Sequence, residues 1–437
     1  MLAHKGLWSR NFFLLWQGQT VSLAGSSLSA VAFSLWIVDA TGSAATLGAI
    51  LMVGSLTGLV LSPAAGAIAD RYSRVGILVA CDVALGVFAL ALAGVVAGYA
   101  RHPGMALAAL FLLQAGNSAA NAFFATSARA ITPDLVPFSQ VPAANAVTMA
   151  SLQMAGLLGK GLGGLAYRIL GAPLLFALDG LTFFVSAGTE ALMRVPRTPA
   201  GPPRGWRARL AETAADTRTG FAYVWRHRGL RTATLVNASA AFFLDPLIVL
   251  LPFLVKDERF LGASGDWYGY LLSAFGVGIL GGYTLAAVLP SRLRRRGAWI
   301  TGALAAGGLG FAALGLTGRP GVALALMAGN GIFLGLFGNH VVSLVQTQVS
   351  PALRARTLAV FQTLALCLSP LAVGLAGVSA DLLRGRVDVV FTTCGACACC
   401  VALGSLLWKD YRDFLAGELA VEKPGPCPFT VCPGPPE

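Results

Sequence analysis

The sequence predicts an all-α integral membrane protein in which twelve transmembrane helices form two six-helix pseudo-repeat bundles, and three observations predict it. First, 56% of the 437 residues are hydrophobic and only 11% are charged, against roughly 25% charged residues in a soluble domain. Second, twelve apolar runs each approach the ~20 residues that a helix needs to cross a hydrocarbon core of about 30 Å. They cover about 12–37, 46–69, 75–98, 104–127, 142–167, 173–193, 232–255, 267–289, 297–317, 321–346, 356–379 and 387–408. Third, 23 of the 31 Lys and Arg lie before the first run, in alternate loops, or after the last, while 7 lie in the other loops and Lys160 inside a run. Basic loops stay on the cytoplasmic side during insertion, so both termini are expected there. The runs are long and lack the alternation of barrel strands.

Taken in order, the first run follows Lys5 and Arg10 but is too long for the h-region of a signal peptide, so it reads as a retained span. It carries Gln17 and Gln19. The second run ends in GAIADRYSRVG, where Asp70, Arg71 and Arg74 interrupt an almost uncharged stretch. Asp70 and Arg74 are four apart and share a face if the turn is helical. The fourth run carries Gln114, Asn117 and Asn121, which at helical spacing fall on one face and are candidates to line a cavity. The fifth holds Gly159, Lys160, Gly163 and Gly164, whose glycines allow close helix approach. Asp179 follows in the sixth, at a depth similar to that of Lys160, and the two are candidates for an ion pair.

Residues 194–231 form the longest polar interruption, Pro- and Gly-rich and then basic with helical character. It divides the chain into an N-terminal bundle (1–193), a cytoplasmic linker (194–231), a C-terminal bundle (232–408) and a cytoplasmic tail (409–437). Across it the halves echo each other: Arg71, Arg74 and Gly76 correspond to Arg292, Arg295 and Gly297, and Thr132-Pro133-Asp134-Leu135 recurs as Ser350-Pro351-Ala352-Leu353. Many secondary transporters are built from such repeats, which rock about a site near the bilayer midplane. In the second half, Asp245 precedes Pro246 in the seventh run and His340 lies in the tenth. An ion in hydrocarbon costs at least ~2.5–3.5 kcal/mol on insertion scales, so Asp245 and His340 are candidates for proton coupling and Lys160 for substrate contact. Trp16, Trp36, Phe123, Phe124, Phe242 and Phe243 are candidates for an aromatic wall.

Gly66, Asp70, Arg71 and Arg74 match the G-x-x-x-D-R-x-x-R loop of the major facilitator superfamily, which the chain resembles up to about Trp408. NFFLLWQGQTVSLAGSSL, ITPDLVPFSQVPAANAV and the basic linker resemble its exporter branch, which includes macrolide-efflux and enterobactin-exporter proteins. The resemblance implies that these four residues form a conformational latch, with the loop Asp capping a helix end and pairing with Arg. Two positions depart from the pattern. Lys160 stands where drug antiporters of the superfamily carry Pro, and the fourth run lacks the Arg of many proton-coupled relatives.

Cys394, Cys397, Cys399 and Cys400 alternate with small residues in the last run and read as packing rather than a metal site. No phosphate-cradling loop, zinc-protease helix or nucleophile elbow occurs, so neither an enzyme nor a nucleotide-driven pump is expected. The net charge of +12 reads as topology and lipid attraction, not nucleic-acid binding. The expected function is secondary active export of a small amphipathic molecule (drug, macrolide-like or siderophore-like) across a bacterial cytoplasmic membrane. Protons and lipid are the expected partners, with no cofactor and a monomeric state. A lysophospholipid flippase of the same fold is the alternative, and a transport-inactive sensor represents a different class.

Overall fold

The computed structural model describes residues 6–69, 72–195, 206–288 and 296–416, all helical apart from short connections. Eleven described helices are long and apolar enough to cross a membrane. The longest of them, α5 (Val141–Ala191), is bent at Gly171, where φ 73° and ψ 163° break the helical path. A positive φ of this kind suits Gly, which lacks a Cβ. The bend turns one continuous helix into two antiparallel limbs, 141–170 and 172–191, and the crossings number twelve.

The remaining spans are α1 (Arg10–Thr41), α2 (Ala44–Ala69), α3 (Arg74–Gly98), α4 (Pro103–Leu135), α7 (Arg228–Lys256), α8 (Asp266–Val288), α9 (Arg296–Leu316), α10 (Pro320–Gln348), α11 (Pro351–Leu382) and α12 (Val387–Ser405). Several run past their apolar stretch, because a helix continues until something caps it rather than stopping where lipid ends. Ser9 caps α1 by accepting from the Phe12 N–H at 3.1 Å, and Gly42 closes it in the left-handed conformation at φ 62°. Helix α6 (Trp206–Arg226) occupies the basic linker and is tied to α11 by Arg356–Asp216 at 2.7 Å. The segment after the last span begins with α13 (Lys409–Ala416), whose Tyr411, Phe414 and Leu415 are buried.

Helices α1 to α5 pack as one group and α7 to α12 as another. Two pairs make most of the contact between the groups, α2 with α11 and the first limb of α5 with α8, and α7 also touches α1 and α2. Glycine allows the second approach: a Cβ on Gly164 would lie 2.5 Å from the Gly265 carbonyl, and one on Gly269 would lie 2.5 Å from the Lys160 carbonyl. The same limb meets α1 through Gly159 and Gly163, where a Cβ would lie 2.5 Å from Ser27 Cβ and 2.6 Å from Val31 Cβ. One helix therefore carries two glycine faces, one inside its own bundle and one across the divide.

Candidate functional site

Every described hydrogen bond or ion pair between the bundles lies at mid-depth or toward the end remote from the chain termini, here called the far end. Asp381, in the last turn of α11, accepts from the Ser43 hydroxyl at 2.6 Å and from the N–H groups of Ala44 and Ala45 at 2.9 and 3.1 Å. The Ser43 hydroxyl in turn accepts from the Thr46 N–H at 3.1 Å. The orphan donors at the start of α2 are thus satisfied largely by a carboxylate from the other bundle, where the helix dipole also favours negative charge. Close by, Lys256 at the end of α7 pairs with Asp39 on α1, which also accepts from the Tyr167 hydroxyl at 2.6 Å. Arg168 pairs with Asp266 at 2.7 Å. Together these contacts tie the two bundles to each other at the far end.

Beneath these contacts a cavity of about 860 Å³ opens within the N-terminal bundle. Gln114, Asn117 and Asn121 all line it, as their shared face on α4 predicts, and Gln19 lines it from α1. The Asn121 amide donates to the Asn117 carbonyl at 2.9 Å. Phe33, Phe88, Phe124, Phe176 and Phe183 supply apolar wall. Of the aromatics expected there, Phe124 lines it, while Phe242 and Phe243 stack edge-to-face on α7. Asp179 and Asp82 are its carboxylates and Arg129 its cation. Few polar groups in an apolar pocket of this size suit a small organic ligand, with the polar groups setting its orientation.

Several expected site residues lie elsewhere. Gln17 is absent from the lining, since two residues along a helix turn the side chain about 200° and Gln19 takes the inward direction. Lys160 and Asp179 do not pair: Asp179 is buried against α1 and accepts from the Ser26 hydroxyl at 3.1 Å, while Lys160 is exposed. Their depths match but their faces do not. Lys160 lies on the arc of α5 between the face packed on α1 and the face packed on α8, outside the cavity lining. Asp245 is exposed beside a smaller cavity of about 250 Å³ in the C-terminal bundle, with Phe275, Tyr283 and Phe311. His340 is half-buried and its Nδ1 donates to the Leu336 carbonyl at 3.0 Å, a bond within its own helix.

Of the expected latch, Asp70 and Arg71 lie outside the described residues. A Cβ on Gly66 would meet nothing within 4 Å, so close packing does not require a glycine there. Arg74 meets a partner that the loop pattern does not name, Asp134 at the end of α4, at 2.6 Å, and it also donates to the Ala130 carbonyl at 3.0 Å. Both side chains of the pair are about 30% exposed, at 31% and 28%, and exposed pairs contribute little. A double-mutant cycle of Arg74→Ala and Asp134→Ala, read by thermal unfolding, is expected to give a coupling of about 0.5–1 kcal/mol.

Sequence reasoning missed the far-end residues Asp39, Lys256, Asp266 and Asp381, because loops at that end look like ordinary solvated charge. It also missed Asp82 on α3 and Glu190 on the second limb of α5, both 0% exposed. The rule that singled out Asp245, an ion inside an apolar run, applies equally to Asp82.

Comparison with known proteins accords with this geometry. A family model described as the Major Facilitator Superfamily matches residues 15–407. Macrolide efflux protein A of Streptococcus pyogenes is 24% identical over 425 residues, covering 93% of this chain and 97% of that protein. The multidrug efflux pump Tap of Mycolicibacterium fortuitum is 28% identical over 370 residues, covering 82% and 86%. Among solved structures, a bacterial homologue of the human lysosomal transporter Spinster, inward-facing and unoccupied, aligns with a TM-score of 0.65 at 16% identity over 95% of each chain. A POT family transporter in complex with 5-aminolevulinic acid aligns at 0.70 with 12% identity, over 94% of this chain and 98% of that one. At such identities the two structures attest the fold alone.

Proposed function

This chain belongs to the Major Facilitator Superfamily, and on that premise we propose that it exports small amphipathic organic molecules across the cytoplasmic membrane by proton-coupled antiport. It is a multi-pass membrane transporter whose relatives include efflux pumps. One observation supports the reading above the rest: a cavity large enough for a drug-sized molecule lies in one bundle while the two bundles are tied together at the far end. By the distribution of Lys and Arg the far end is the outer one, which makes this arrangement the inward-facing state of an alternating-access cycle. Substrate entering from the cytoplasm meets phenylalanine walls, a row of amides and the Asp179 carboxylate, which suits a bulky molecule bearing a basic amine. Arg129 is the single cation of the lining. In this reading Asp245, beside the second cavity, carries a proton during the return step.

The test uses everted membrane vesicles acidified by respiration. Adding erythromycin, an amphipathic amine, is expected to release trapped protons and restore the fluorescence of an acridine dye. Asp179→Asn is expected to lower that signal at least tenfold at equal protein level. A wild-type signal no larger than that of vesicles lacking the protein, across a panel of amphipathic amines, would remove the antiport reading.

A further inference from the structure

Asp82 and Glu190 are the least explained groups in the molecule. Both are 0% exposed, and none of their four carboxyl oxygens has a hydrogen-bond partner. They lie on packed elements, α3 and the second limb of α5. The register of the two elements is set where a Cβ on Gly86 would lie 3.1 Å from the Gly180 carbonyl, and one turn toward the chain termini Asp82 lies against Ser186, itself one helical turn before Glu190. The Ser186 hydroxyl beside Asp82 is itself 0% exposed and lacks a hydrogen bond, a third orphaned polar group at the site. Asp82 also stands in the wall of the 860 Å³ cavity.

Among the described residues no cation pairs with either carboxyl. Cys81 neighbours Asp82 on α3, Arg129 and Asp134 lie on α4, Asp179 lies three turns from Glu190 on the same limb, Arg194 follows that limb, and Arg10 begins α1. None of the three arginines forms an ion pair with either carboxyl among the described residues, and Arg74 is taken by Asp134. Two carboxylates held close in one buried site resist ionising together, because each raises the cost of the other's charge. A metal ion is a poor occupant: a hard cation needs about six or more oxygen ligands, and two carboxyls with one hydroxyl fall short. A proton needs only the two carboxyls.

We infer that Asp82 and Glu190 share one exchangeable proton and form the proton-binding site through which the N-terminal bundle couples to its cavity. This assignment rests on the antiport reading for its transport role and adds a second carboxyl site to Asp245. The step is a transfer only: one acid O–H breaks, its proton leaves to water on one side of the membrane, and the pair regains a proton from the other side after the bundles rock. No bond to substrate forms.

Infrared spectroscopy of the purified full-length protein decides it without any substrate. At neutral pH the wild type minus the double variant Asp82→Asn/Glu190→Gln should show one protonated-carboxyl C=O band that shifts in D₂O. Each single variant should keep a band of similar intensity at a changed frequency, since the remaining carboxyl holds the proton alone. The amides preserve shape, and gel filtration with thermal unfolding checks that all variants fold. Absence of the difference band overturns the proposal. So does halving of intensity in each single variant, which means two separate protons, or loss of the wild-type band on exchanging potassium for sodium, which means a metal ion. In everted vesicles the double variant should lose erythromycin-driven proton release while exchanging labelled erythromycin down its gradient; full proton release in that variant also overturns it. A wild type that releases no protons counts against antiport alone, and the infrared result still decides the shared proton.

Discussion

Replacing Asp381 by Ala is expected to open the far end of the protein and shift its resting state from one closed arrangement to the other. The carboxylate takes the Ser43 hydroxyl and two backbone N–H groups of α2 in three bonds of 2.6 to 3.1 Å. Hydrogen bonds to a charged group contribute roughly 1.5–3 kcal/mol each when protected, and loss of a helix cap costs ~0.5–2 kcal/mol. Asp381 is half-buried and water replaces part of what is lost, so a net bias of about 2–3 kcal/mol is expected, roughly 30- to 150-fold in the ratio of states. Spin labels at Ala40 and Leu383, in a background without native cysteine, report the far-end distance. The variant should populate a longer distance, Asp381→Glu should lie between it and the wild type, and unfolding temperature should change little because neither bundle loses internal contacts. An unchanged distance distribution would show that Asp381 is not a gate.

A single methyl group on Gly164 is expected to stop transport, whereas the same methyl on Gly159 should weaken folding. At Gly164 the added Cβ would lie 2.5 Å from the Gly265 carbonyl and 2.6 Å from Asp266 Cα, both main-chain atoms of the other bundle. Neither can rotate aside, so the bundles must part by nearly 1 Å to reach ordinary contact, and the Arg168–Asp266 pair parts with them. Gly164→Ala should therefore fail to close the far end, with export near background and unfolding close to that of the wild type. At Gly159 the obstacle is Ser27 Cβ at 2.5 Å, inside the N-terminal bundle. Overpacking of that kind costs about 1–3 kcal/mol, so Gly159→Ala should unfold at lower temperature and lose protein level in the membrane. Identical behaviour of the two variants would mean that the two faces of α5 are not separate.

Much of the architecture was legible because lipid demands a signal that is local in sequence. Each crossing must present about 20 apolar residues regardless of its neighbours, so the runs could be counted without knowing how they pack. Even the hairpin hidden within α5 was visible as two runs, 142–167 and 173–193, although the helix continues on both sides of Gly171. The cavity face of Gln114, Asn117 and Asn121 was legible for the same reason, since helical periodicity sets which residues of one helix share a direction.

What failed were pairings between helices. Lys160 and Asp179 lie at similar depths, and depth is all that a run of residues encodes; the rotation of each helix about its axis decides whether the side chains meet, and here Asp179 turns to Ser26. Asp82 and Glu190 drew no notice in the sequence, and only packing shows both buried on facing elements. Sequence by itself determined the number of crossings, the two-fold repeat and the polar face of α4, because hydropathy and periodicity belong to each helix alone. Only the tertiary structure decided that Asp381 caps a helix whose Ser43 lies 338 residues away, that Gly164 faces the opposite bundle, and that Asp82 and Glu190 are buried on packed elements. Those facts depend on the azimuth and register of one helix against another, which packing sets and no single segment carries.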